Sequence, residues 1–270
     1  MSHSRPPKSA LDLIAMKQAG RRIVMLTCYD ALFARLLREA GVDLMLVGDS
    51  VNQVLGGESS TLSATLDQMI YHARSVMRGS GEVPVYVDMP FLSYQVSSED
   101  ALRSAGRIMK ETGAHGVKLE GGTPIGPTVR TLVDAGIPVM GHLGLTPQSV
   151  HALGGYRVQG RDTAVAERLL EDARALEAAG AFAVVLELVP GTVAERISRS
   201  LTVPTIGIGA GPHCDGQVLV LHDMLGLNDT FQPKFLKHFA SLAETTRSAV
   251  AAYADEVRAG TYPDPDHTFE

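Results

Sequence analysis

The chain has 270 residues, 45% of them hydrophobic and 20% charged, and a net charge of -6. That size and makeup can fill one α/β barrel of about 250 residues, with no need for a second domain. The acidic balance gives no basic footprint for nucleic acid or an anionic membrane, so the expected partners are small molecules and further copies of the chain.

The opening MSHSRPPKSALDLIAMKQAG lacks an apolar stretch closed by a small-residue cleavage site, and no apolar run reaches the length of a membrane span. A cytoplasmic protein with a short, loose N-terminal tail is expected. Within that opening, SALDLIAMKQAG predicts a helix ahead of the first strand, placed to cover the bottom of a barrel. Strand-length apolar runs follow: IVMLTCYD, DLMLVGDS, VPVYVDMP, HGVKLEGG, IPVMGHLG, FAVVLELVP, VPTIGIGAG and GQVLVLHDM. Eight such runs, each followed by enough chain for a crossover helix, predict an α/β fold: a parallel TIM (β/α)8 barrel forming a single domain over 1–270.

Between the strands, LREAGVD, KETGAHG, VDAGIP and EAAGAFA each close an amphipathic run with glycine before the next strand, the mark of a helix C-cap. Over residues 165–176, Val165, Leu169, Leu170, Ala173 and Leu176 recur near helical spacing and are expected to pack on the barrel. The segment PKFLKHFASLAETTRSAVAAYADEVRAG predicts an extended helical C-terminus. Cys28 and Cys214 have neither metal-ligand spacing nor disulfide density, so both are expected as reduced thiols, Cys28 packed.

The stretch GVKLEGG sets a lysine and a glutamate inside a strand that otherwise reads as buried. Alternation puts Lys118 and Glu120 on one face and Val117 and Leu119 on the other, so the charged pair can face the barrel interior. Asp49 ends the second strand, Asp88 the third and Glu187 the sixth. Any one of these acids alone would read as a helix cap or a solvated loop residue. Together they converge on the C-terminal mouth, where barrel enzymes build their sites. Asp49, Asp88 and Glu120 on three adjacent strands repel one another unless a cation or proton compensates. An all-oxygen set favours Mg²⁺ over Zn²⁺, with Lys118 facing an anion beside the metal.

Other features stay open at this level. His142 can bond a substrate, orient a site residue or be structural. Tyr29 ends the first strand, and Asp30 suits the N-cap of the following helix. GIGAG lets backbone approach a ligand, but Pro212 at the third glycine position argues against a dinucleotide fingerprint. The loop over residues 151–161, with Arg157 and Arg161, reads as a lid over the mouth or as an ordinary solvated loop.

The blocks LMLVGDSVNQVLGG, VDMPF, GVKLEGG, PVMGHLGLTPQSV, GGYRVQGR, ALEAAGAFAVVLELVP and IGIGAG resemble the ketopantoate hydroxymethyltransferase family from about Met25 to the end of the chain. The resemblance implies a Mg²⁺-dependent barrel that transfers a one-carbon unit from 5,10-methylenetetrahydrofolate, as co-substrate, to 3-methyl-2-oxobutanoate, giving 2-dehydropantoate for pantothenate synthesis. It implies metal positions at Asp49, Asp88 and Glu120, substrate contacts at Asp49, Ser50, Asp88 and Lys118, and a proton acceptor at Glu187. A homo-oligomer, commonly a decamer, is implied as well. The competing expectations are a carbon-carbon lyase of the isocitrate lyase and phosphoenolpyruvate mutase type, whose catalytic-cysteine loop is not recognisable here, and a non-catalytic binding barrel, which would have no use for Glu187.

Overall fold

The computed structural model describes residues 9–269, and the expected N-terminal tail, residues 1–8, lies outside them. Eight strands occur in chain order: β1 (Ile23–Thr27), β2 (Leu44–Val47), β3 (Val85–Asp88), β4 (Gly116–Glu120), β5 (Val139–Gly144), β6 (Ala183–Glu187), β7 (Thr205–Ile208) and β8 (Gly216–Leu219). Each pairs in parallel with the next, and β8 returns to β1 through Ile23↔Gly216, so the sheet closes into a TIM-type barrel as expected. The connecting helices are α2 (Ala31–Ala40), α3 (Val51–Val54), α4 (Leu66–Ser80), α5 (Ser98–Thr112), α6 (Gly126–Asp134), α7 (Thr163–Ala178) and α8 (Gly191–Ser200). The four predicted C-cap glycines, Gly41, Gly113, Gly136 and Gly180, all have positive φ, which releases the chain from each helix toward the next strand. Asp30 caps α2 by accepting from the Phe33 N–H at 2.8 Å.

The expected helix before β1 is α1 (Ala10–Gln18). Its Leu13 and Met16 are buried among Ile23, Leu44, Phe182 and Ala183, which begin their strands or lie next to the beginning. Lys17 Nζ donates to the carbonyls of Ser198 (2.7 Å) and Val203 (3.0 Å) and to the Asp215 carboxylate (2.9 Å). The helix therefore covers the bottom of the barrel. Along the strands the interior positions change from apolar to polar toward the other end: Tyr86 then Asp88, Met140 then His142, and Val185 then Glu187, while β4 carries Lys118 and Glu120 there. A period of two carries this change straight from sequence to space.

Three expectations are corrected. No helix lies between β7 and β8; residues 209–215, GAGPHCD, are too few for one, and the two short strands leave little height to recross. Asp215 fixes that return, its carboxylate accepting from the Thr205 N–H at 2.8 Å. On α7 the buried face is Ala166, Leu169, Leu170, Ala173 and Leu176, while Val165 is 38% exposed because the apolar stripe starts one residue later. The C-terminal helix is α10 (Leu242–Ala259) and does not begin at Pro233.

The chain divides into two compact units, one ending at Val220 and one starting at Leu221. Within the second, a short helix α9 (Leu221–Met224) precedes α10. The Phe239 N–H bonds Met224 O at 2.8 Å and the Leu242 N–H bonds Leu225 O at 3.0 Å, and the preceding segment makes a single turn, Leu236 N–H to Pro233 O at 3.0 Å, rather than a helix. Cys28 and Cys214 are buried and free, and burial pushes the Cys28 thiol up to about 12, as befits a packed group.

Candidate active site

Asp49, Asp88, Lys118, Glu120 and His142 are all buried at the C-terminal ends of β2 to β5. Strand register sets their neighbours: Asp88 lies opposite Lys118, and Glu120 opposite His142. Lys118 Nζ is 3.0 Å from Asp88 Oδ1 and 3.1 Å from His142 Nδ1. Asp88 Oδ2 accepts the Asp49 backbone N–H at 3.1 Å, which ties the end of β2 to the end of β3. Gly48 leaves room for the Ser50 hydroxyl, since a Cβ there would sit 2.7 Å from Ser50 Oγ.

His142 stands between two acids, with Nδ1 3.2 Å from Glu120 Oε1 and Nε2 3.2 Å from Glu187 Oε2. Nδ1 can serve either Lys118, as acceptor in the neutral ring, or Glu120, as donor in the imidazolium. Burial and Lys118 lower its pKa, but Glu120 and Glu187 outweigh them and raise it to about 9, which favours the protonated ring between the two carboxylates. Burial works against ionised Glu120 as well, yet His142 and Lys118 hold its carboxyl below the usual range. Asp49 goes the other way: burial, Asp88 and Glu120 push it well above the usual range, and Lys118 and Gln148 offset only part. Asp88 is raised by burial against the pull of Lys118, and Lys118 is raised because its carboxylate neighbours outweigh burial.

Fully ionised, the four expected acids would outnumber the charges of Lys118 and a protonated His142, and that excess helps to push Asp49 up. Asp88 Oδ1 and His142 Nε2 are both buried without an aligned hydrogen bond, although Lys118 lies 3.0 Å from the first and Glu187 3.2 Å from the second. Among the described residues no three His, Cys, Asp or Glu side chains enclose a metal ion by themselves. Mg²⁺ typically needs only one or two carboxylates, with water and substrate oxygens completing its shell. The excess charge and the exclusively oxygen donors at Asp49 and Asp88 fit such an ion.

Glu187 differs from the other acids. Its side chain is 18% exposed against 3% for Glu120, so it is open to the mouth while held from behind by His142. Ser50 precedes α3, and its Oγ lies 2.8 Å from the Tyr29 hydroxyl. Residues 151–161 form neither helix nor strand; Gln53 Nε2 donates to Tyr156 OH at 3.4 Å, and the Gln159 N–H bonds Leu188 O at 2.8 Å. No contact here assigns a role to Arg157 or Arg161.

The sequence did not single out Gln148 or Tyr94, which are central to the site. Gln148 bonds Asp49, Glu120, Met89, Tyr94 and Gln95. Its only signal was its place in GHLGLTPQS, just past a strand end; Tyr94 had none.

A family profile described as ketopantoate hydroxymethyltransferase matches residues 8–265. The 3-methyl-2-oxobutanoate hydroxymethyltransferase of Moorella thermoacetica is 57% identical over 258 residues, covering 96% of each chain. That of Pelobacter propionicus is 52% identical over 269 residues, covering 100% of both. Among solved structures, 2,3-dimethylmalate lyase, a PEP mutase/isocitrate lyase superfamily member, superposes with a TM-score of 0.61 at 19% identity, covering 98% of this chain and 93% of that one. Phosphonopyruvate hydrolase in complex with oxalate and Mg²⁺ gives 0.64 at 12% identity, covering 97% and 91%. At those identities the structural likeness speaks to the barrel alone. Sequence similarity of this depth, over nearly the whole length, is more specific: the chain belongs to the ketopantoate hydroxymethyltransferase family.

Proposed function

We propose that this chain is a 3-methyl-2-oxobutanoate hydroxymethyltransferase that uses 5,10-methylenetetrahydrofolate and Mg²⁺ to make 2-dehydropantoate for pantothenate biosynthesis. The names of relatives at 52–57% identity support the reaction. The observation that carries the mechanism is Glu187, an acid partly open to solvent and 3.2 Å from His142, on a different strand end from the buried Asp49–Asp88 pair.

Asp49, Asp88 and Glu120 are the acids that would hold Mg²⁺, and the ion would act as a Lewis acid toward the carboxylate and keto oxygens of a 2-oxo acid. Lys118 gives the inner wall a fixed positive charge for an anionic substrate, and Ser50, steadied by Tyr29, offers a hydroxyl beside it. Glu187 accepts the proton from C3 of the substrate, with His142 holding the carboxylate in place. C3 forms a bond to the methylene carbon while both bonds from that carbon to the folate nitrogens break; water supplies the hydroxyl oxygen, and the C3 proton and one proton of that water end on the two nitrogens as tetrahydrofolate leaves.

The protein is further proposed to act in the cytoplasm as a homo-oligomer, with a decamer expected from the family. Among the described residues no helix is long and apolar enough to cross a membrane. The test of the reaction is an assay of the purified chain with 3-methyl-2-oxobutanoate, 5,10-methylenetetrahydrofolate and Mg²⁺. Formation of 2-dehydropantoate is expected; cleavage of 2-alkylmalates in its place would make the chain a lyase.

A further inference from the structure

Gln148 lies in a single 3-10 turn, Pro147–Ser149, beyond β5, and is 5% exposed. A buried amide must find partners for two donors and two acceptor sites. Here every one is met: Nε2 donates to Asp49 Oδ2 at 2.9 Å and Met89 O at 3.0 Å, and Oε1 accepts from Tyr94 OH at 2.8 Å and Gln95 Nε2 at 3.1 Å. Two acceptors on one side and two donors on the other permit a single orientation of the amide. The backbone N–H of the same residue donates to Glu120 Oε2 at 3.0 Å. One residue therefore grips an acid 99 positions away and another 28 positions away.

Tyr94 fixes this arrangement from behind. Its oxygen accepts the Glu120 N–H at 3.1 Å, and its one proton goes to Gln148 Oε1 at 2.8 Å, the shorter of its two contacts, the other being Glu120 O at 3.1 Å. The hydroxyl thus joins the amide to the Glu120 backbone, and the amide in turn reaches the Asp49 carboxylate.

We propose that Gln148 is a positioning residue: its side chain orients Asp49 and its backbone orients Glu120, so that both carboxylates meet metal and oxo acid already aligned. This rests on the proposed function, in which those acids hold Mg²⁺. Hydrogen-bond partners of ligating carboxylates typically change metal affinity or activity by about 10- to 100-fold when removed. A residue that merely fills space would change stability and leave affinity alone.

Gln148→Leu removes all four side-chain amide bonds at similar volume and keeps the backbone bond to Glu120; Tyr94→Phe removes only the hydroxyl. The measurement is calorimetric Mg²⁺ affinity in saturating 3-methyl-2-oxobutanoate, alongside melting in EDTA. Gln148→Leu is expected to bind Mg²⁺ about 10- to 100-fold more weakly than wild type, and Tyr94→Phe to shift in the same direction by a smaller factor. Wild-type affinity in Gln148→Leu, whatever its melting temperature, overturns the proposal. Should that variant fail to fold, Tyr94→Phe decides, and unchanged affinity there overturns it equally. A wild type that binds no Mg²⁺ brings down the functional reading and this inference together, whereas binding that both variants share with wild type brings down the inference alone.

Discussion

Lys118→Met removes the ammonium and keeps most of the apolar stem. In the native protein Lys118 Nζ lies 3.0 Å from Asp88 Oδ1, and both side chains are 5% exposed. At that separation and an effective dielectric of ~20, the pair attraction is about 5 kcal/mol. Measured losses for breaking one side of a buried pair are about 3–5 kcal/mol, and a barrel of this size then melts roughly 6–15 °C lower. Protonation of Asp88 gives a partial escape. Burial already raises its carboxyl, and without Lys118 nothing of comparable strength opposes that rise. The folded variant then keeps a proton that the unfolded chain loses near pH ~4, so its stability falls as pH rises from there through the raised native pKa, and levels off above it. Melting followed by circular dichroism in EDTA at pH 5 and pH 8 tests this, with the larger deficit against wild type expected at pH 8. A variant melting within about 2 °C of wild type at pH 8 would refute the charge-pair reasoning. The same variant is expected to lose 3-methyl-2-oxobutanoate affinity; unchanged affinity with a lowered melting point would reduce Lys118 to a counter-ion of Asp88.

Asp49→Asn keeps an acceptor for Gln148 Nε2 but removes a charge that Asp88 and Glu120 repel. It should melt at or above the wild-type temperature in EDTA and bind Mg²⁺ weakly by calorimetry; retained Mg²⁺ affinity would remove Asp49 from the metal assignment. Leu13→Ala opens a hole where a 1% exposed side chain of α1 packs into the barrel bottom, and is expected to cost about 2–5 kcal/mol in urea unfolding with little change in Mg²⁺ affinity. A loss under about 1 kcal/mol would mean that α1 caps the barrel without helping to hold it.

The strands were legible because each apolar run is bounded by turn residues, and the acids were legible because Asp88, Lys118, Glu120 and Glu187 break the apolar pattern at interior positions of period two. Asp49 was found by the same cue although it lies just past β2, where the turn and not alternation directs it. Gln148 and Tyr94 escaped because a neutral amide and a phenol on loops are unremarkable until folding brings them to acids on other strands. Between β7 and β8 the apolar runs mark both strands, but the connection, residues 209–215, is too short for a crossover helix. In residues 233–241 helical spacing of Phe and Leu competed with backbone bonds to Met224 and Leu225, which sequence periodicity does not register.

The central claim, that Glu187 takes the C3 proton in a Mg²⁺-dependent step, is tested most directly by proton exchange. The NMR signal of C3–H in 3-methyl-2-oxobutanoate is followed in D₂O with Mg²⁺ and no folate, comparing wild type with Glu187→Gln at equal substrate occupancy. The glutamine keeps the shape and cannot accept the proton, and general-base contributions are typically about 10²- to 10⁴-fold, so exchange should slow by that order while substrate still binds. Exchange in the variant at the wild-type rate would contradict the assignment and show that a group other than the Glu187 carboxylate removes the proton.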